Sequence, residues 1–135
     1  MTGDESYALN GNPPGNTRIH ALYIKSGYWI DQIQVIYAID GQVIRGDGHG
    51  GHGGSGTMFY LDGDEYITGI WGRTGNYVDS LHIETNKHRP GLWFGGNGGS
   101  FDYNYVVSPG DEIIGFQGRS GDYLDAIGVL TRKRC

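Results

Sequence analysis

One eight-residue pattern occurs three times in this chain, and its spacing fixes what the chain can fold into. Ser26-Gly27-Tyr28-Trp29-Ile30-Asp31-Gln32-Ile33 returns as Thr74-Gly75-Asn76-Tyr77-Val78-Asp79-Ser80-Leu81 and as Ser120-Gly121-Asp122-Tyr123-Leu124-Asp125-Ala126-Ile127. Each copy reads hydroxyl residue, Gly, a variable residue, aromatic, branched aliphatic, Asp, a small or polar residue, aliphatic. The glycines at 27, 75 and 121 are 48 and 46 residues apart, so three copies fill the 135 residues. Alternating segments precede the copies at Ile19–Ile24, Tyr66–Trp71 and Ile113–Phe116. Apolar residues at period two follow them: Ile33, Val35 and Tyr37; Leu81 and Ile83; Ile127 and Val129. Period two predicts strands, with the motif as the turn between two of them. No window combines a helical stripe with a cap and a stop signal. Asp62-Gly63-Asp64 and Pro109-Gly110-Asp111 supply turns ahead of the second and third units.

Glycine is the second signal. There are 26 among 135 residues, well above the roughly 7 % of average proteins. Ten tyrosines and three tryptophans accompany them, so the chain has the apolar surface that a disordered linker lacks. The composition predicts one all-β domain spanning 1–135. Gly50-Gly51-His52-Gly53-Gly54-Ser55 is matched by Gly95-Gly96-Asn97-Gly98-Gly99-Ser100, 45 residues on. Counting back equally from Gly27 reaches Met1 to Ser6, which holds only Gly3 and two acids. That copy of the loop has degenerated.

Three Ser-Gly-x-aromatic-aliphatic-Asp turns in register with two Gly-Gly-x-Gly-Gly loops resemble the jacalin-related lectin family over essentially the whole chain. The resemblance implies a β-prism I fold: three four-stranded Greek-key sheets about a pseudo-threefold axis. It also implies that each Asp turn faces a glycine loop across a sugar site. Tyr28, Trp29 and Asp31 would then face Gly51, Gly53 and Gly54. Asn76, Tyr77 and Asp79 would face Gly96, Gly98 and Gly99. Asp122, Tyr123 and Asp125 would face the degenerate N-terminal segment, leaving two complete sites and an incomplete third. The family further implies mannose-type glycans rather than galactose, because galactose-binding members have a cleaved chain. It implies no metal and no cofactor, and it leaves a homodimer open, since members pair through different edges.

These residue types suit a sugar. An ionised carboxylate accepts hydrogen bonds from two vicinal hydroxyls, and charge-assisted bonds are the stronger class. Turn amides return donors without loss of side-chain entropy. A glycine wall lets backbone approach closely, and the motif aromatic is expected to cover the C–H face of the ring.

Other readings are weaker. A net charge of −5 and a pI near 5.4 disfavour nucleic acid, which needs clustered positive charge. No stretch approaches the ~20 apolar residues of a membrane span, so no membrane insertion is expected. The acidic, polar start is no signal peptide, which predicts a cytoplasmic location or release without a leader. The single cysteine, Cys135, excludes an internal disulfide or a thiolate zinc site. Gly48 to Gly53 spells G-x-G-x-x-G, but no helix follows it. His49 and His52 read as loop residues beside a sugar site rather than as metal ligands. Trp71 and Trp93 are expected to pack within the prism. A glycosidase needs paired carboxylates, and only the third turn offers a pair, Asp122 and Asp125. The alternatives to a lectin are therefore a non-catalytic prism scaffold with silent sites and, less well supported, a glycosidase.

Overall fold

The computed structural model describes residues 5–7 as backbone and residues 17–90 and 92–134 in full. Eleven strands and no helix occur among them: β1 (Glu5–Tyr7), β2 (Arg18–Ser26), β3 (Ile30–Ile39), β4 (Gln42–Gly50), β5 (Ser55–Tyr60), β6 (Ile67–Thr74), β7 (Ser80–Thr85), β8 (Trp93–Gly95), β9 (Phe101–Val106), β10 (Asp111–Ser120) and β11 (Leu124–Lys133).

Each predicted turn folds its two alternating flanks back on one another. β2 pairs with β3, β6 with β7 and β10 with β11, all antiparallel. The first sheet has the spatial order β4-β3-β2-β5. The second follows the same plan, with β8 on β7 and β9 on β6. In both, the last strand returns beside the first, which is the Greek-key order. The third sheet contains β11, β10 and β1 among the described residues; the fourth strand that the resemblance implies there lies outside the described residues. One bridging pair, Ile113↔Ile67, joins the second and third sheets. The fold is an all-β prism of three sheets, as the family resemblance implies.

The alternation has one regular interruption. Register shifts fall between Ile19 and Ala21, between Ile67 and Gly69, and between Ile113 and Gly115. These are equivalent places in the three repeats. A bulge there adds a residue and steepens the twist, which helps each sheet curl toward the axis. The inward faces meet in one core that includes Leu22, Ile24 and Ile33 from the first sheet, Ile70, Leu81 and Phe94 from the second, and Ile113, Phe116 and Ile127 from the third.

The motif's aliphatic position closes that core at one pole. Ile30, Val78 and Leu124 are fully buried. Their backbones also link repeat to repeat: the Ile30 amide donates to the Val78 carbonyl at 2.9 Å, and the Val78 amide to the Leu124 carbonyl at 2.7 Å. All three turns therefore gather at one end of the prism.

Candidate functional site

The three turns share one backbone geometry. The amides of Gly27, Gly75 and Gly121 donate to the carbonyls of Trp29, Tyr77 and Tyr123 at 3.0, 2.9 and 2.9 Å. Each glycine loop is the Greek-key connection that crosses from β4 to β5, or from β8 to β9, over the end of the hairpin carrying the Asp. The Gly51 amide donates to the Asp31 carbonyl at 2.8 Å, and the Gly96 amide to that of Asp79 at 2.9 Å. The expected pairings, Asp31 with the first loop and Asp79 with the second, are thus present in space.

The glycines are required more tightly than a sugar alone would demand. A Cβ on Gly53 would lie 2.9 Å from Asp31 Oδ2, and one on Gly98 would lie 2.8 Å from Asp79 Oδ2. Gly54 and Gly99 have φ of +75° and +97°, in the left-handed region that disfavours a side chain. A Cβ there would stand 2.8 Å from Asp31 Oδ1 and 3.1 Å from Asp79 Oδ1. The loop wall is bare because the carboxylate itself occupies the room a side chain would take.

Both carboxylates are 6 % exposed. Burial raises the Asp31 carboxyl above its ordinary range, opposed by the charge of Lys25. Burial also raises Asp79, opposed by the Trp29 indole N–H, which donates to it, and by the charge of Arg73. Asp79 Oδ1 has no hydrogen-bond partner among the described residues. A buried acceptor left in that state costs about 1–3 kcal/mol, so the Asp79 cleft presents charge that gains from hydroxyl donors.

The turn aromatics pack against one another. Trp29, Tyr77 and Tyr123 meet one another on the axis, with ring centroids 5.5, 5.0 and 4.6 Å apart. Three aromatic rings at equivalent places about one axis gain about 0.5–1.5 kcal/mol per contact by packing together. They close the pole, and the Trp29 indole also reaches the Asp79 carboxylate. Tyr28 and Asp122 sit between neighbouring units: the Tyr28 carbonyl abuts Gly96, and that of Asp122 abuts Gly51. Asn76 is exposed at the tip of the second turn. Trp93, expected inside the prism, is 44 % exposed on the outer face of β8, because Phe94 takes the inward position.

Sequence reasoning passed over one residue type. A basic residue precedes the hydroxyl in all three copies: Lys25, Arg73 and Arg119. Lys25 Nζ donates to the His52 carbonyl at 2.7 Å, and Arg73 donates from two nitrogens to the Gly99 carbonyl at 3.1 and 2.7 Å. These side chains tie the loop down and hold positive charge near the carboxylate. Their recurrence at one repeat position was the available signal.

The third turn is less complete. Asp125 is half-buried, more exposed than its two counterparts. Glu5 of β1 pairs with Ser120, so the N-terminal segment does approach this turn, but residues 1–4, where the facing loop is expected, lie outside the described residues, as does Cys135. No group of three or more His, Cys, Asp or Glu able to hold a metal occurs among the described residues, and no helix there is long and apolar enough to cross a membrane.

Comparison with known proteins agrees with this geometry. The profile of the Jacalin-like lectin domain matches residues 3–130. Among solved structures, AcmJRL, a mannose-binding jacalin-related lectin from Ananas comosus, is 29 % identical with a TM-score of 0.83, covering 96 % of this chain and 90 % of that one. Artocarpin, solved with mannopentose, is 27 % identical with a TM-score of 0.81, covering 96 % and 91 %. Calystegia sepium agglutinin is 27 % identical with a TM-score of 0.79, covering 99 % and 92 %. A sequence search of curated proteins gives no match. A profile match across nearly the whole chain, together with these folds, places the protein in the jacalin-like lectin family, whose members are non-catalytic.

Proposed function

We propose that this chain is a multivalent, metal-independent lectin that binds mannose-type glycans through the Asp31 and Asp79 clefts. The observation that carries the reading is the pair of buried aspartates, each set against a wall of glycine, with one Asp79 oxygen left without a partner among the described residues. A hexose brings the vicinal hydroxyls such a carboxylate needs, and its ring can slide over a wall without side chains. That AcmJRL is a mannose-binding lectin, and that artocarpin is solved with methyl-α-mannose, mannotriose and mannopentose, supports mannose as the sugar.

The clefts are shallow, so each is expected to bind near the millimolar range, about −4 kcal/mol. Two clefts on one pole allow branched glycans to engage both, raising avidity by roughly 10²–10⁴ where geometry permits. Isothermal titration with methyl α-mannoside tests the reading. Two sites per chain are expected, with no response to a galactoside and no change with EDTA. Absence of binding, or binding undiminished when Asp31 and Asp79 are both changed to Ala, would refute it.

A further inference from the structure

A row of rings crosses the outer face of the second sheet. Trp71, His82 and Trp93 stand in register on β6, β7 and β8. His82 stacks on Trp71 with centroids 5.3 Å apart and planes within 2°, and Trp93 lies 5.8 Å beyond it. The fold does not demand this row. The equivalent positions in the first sheet are Tyr23, Gln34 and Gly48, and in the third Gln117 and Gly128. An arrangement needed for prism stability would recur in all three.

The row borders open space next to the Asp79 cleft. A concavity of about 300 Å³ lies over Trp71 and Trp93, with Arg73, Asn97 and Asp102 at its edge. A second, of about 580 Å³, lies between Trp93 and Tyr28. Trp93, Gly96 and Asn97 line both, so the two concavities adjoin at these residues and together are called the trough. Tyr28 is 82 % exposed and Trp93 44 %, a large aromatic surface left in water beside a polar rim. The trough's wall is the 95–98 loop, whose Gly98 approaches Asp79.

Stacking surface for an apolar ring face, edged by a guanidinium, a carboxamide and a carboxylate, is the chemistry of a pyranose site. We infer that the trough is an extension subsite for the pyranose joined to the one held at Asp79, so that the second cleft selects oligosaccharides over monosaccharides. This rests on the lectin reading above.

The three tryptophans give three indole N–H signals, and their shifts in an NMR titration separate the possibilities. Methyl α-mannoside is expected to move the Trp29 signal, through its bond to Asp79, and to leave Trp93 in place. α-Mannotriose is expected to move Trp29, Trp93 and Trp71 together. Trp93→Ala is expected to weaken mannotriose binding at this cleft about tenfold while methyl α-mannoside binds as before, which also shows that the variant is folded. If mannotriose moves Trp29 but neither Trp93 nor Trp71, the subsite is overturned and the lectin reading stands. If neither sugar moves any indole signal, the reading at Asp79 falls and the subsite with it.

Discussion

Opposite ends of the prism bury a carboxylate in opposite ways. Glu65, just before β6, is 3 % exposed, and Asp79, past the other end of that strand, is 6 % exposed. Burial works against the Glu65 charge, but the Asp62 amide, the Thr85 hydroxyl and the Arg89 guanidinium donate to it at 3.0, 2.7 and 2.8 Å. Together they hold that carboxyl below its ordinary range. Asp79 has the Trp29 indole and one oxygen without a partner, and its carboxyl is raised. Near-equal burial thus yields one charge that anchors the fold and one that costs the fold energy. A charge maintained at a cost, at the same repeat position in Asp31, supports the proposal that these carboxylates bind a ligand.

The widest separation comes from removing each carboxylate. Glu65→Ala leaves the buried Thr85 hydroxyl and the partly exposed Arg89 guanidinium without their acceptor and is expected to cost about 1–3 kcal/mol, seen as a lower midpoint in urea unfolding. Sugar affinity of the folded fraction should not change. Asp79→Asn and Asp31→Asn should do the reverse. Each removes a charge that burial penalises, so the unfolding midpoint stays level or rises. Each also loses charge-assisted bonds, weakening methyl α-mannoside at its own cleft about 10–100-fold by isothermal titration.

The loops sharpen the contrast at smaller scale. Gly54→Ala and Gly99→Ala place a methyl group in left-handed backbone and against the carboxylate. Each is expected to cost about 1–2 kcal/mol and to close its cleft. Gly63→Ala, with open space around its Cβ and no positive φ, should lie within about 0.5 kcal/mol of wild type. Thermal unfolding of the three variants side by side checks this.

Acidification gives the most gradual effect, and the two ends again differ in sign. The raised carboxyls of Asp31 and Asp79 take up protons more readily folded than unfolded, so their contribution to stability improves as pH falls through their folded values. The lowered carboxyl of Glu65 stabilises above its unfolded value, about 4.3, and that stability is lost as pH falls through the lower folded one. Sugar affinity should therefore decline at a pH where an ordinary Asp, near 3.9, is still ionised, and before the fold weakens. Parallel titrations of binding and of near-ultraviolet circular dichroism over that range show the order of the two events.

Much of this was readable from residue order alone, because a repeat of hairpins with period two leaves few ways to bury three alternating faces. The opposition of Asp31 to Gly53–Gly54 and of Asp79 to Gly98–Gly99 followed from the family resemblance that the repeated motifs carry. The contact of the three turn aromatics with one another did not. Equivalent positions in a repeat converge on an axis, so Trp29, Tyr77 and Tyr123 find one another, but a pattern within one copy cannot show what stands across from it. Trp93 was misplaced for a related reason: beside Phe94, either residue suits the core, and only the pairing of β8 with β7 decides which turns inward. The shared bulges at Ile19, Ile67 and Ile113 leave no residue signature, since different side chains fill them. The loop-tying Lys25 and Arg73 were legible and lay just outside the motif as first framed.

The most direct test follows the ¹³C carboxyl signal of Asp79 through a pH titration, with and without saturating methyl α-mannoside. Sugar hydroxyls donating to the charged form should draw its midpoint downward, reversing the rise that burial imposes. An unchanged or higher midpoint in the saturated protein would mean that this carboxylate does not hold the sugar.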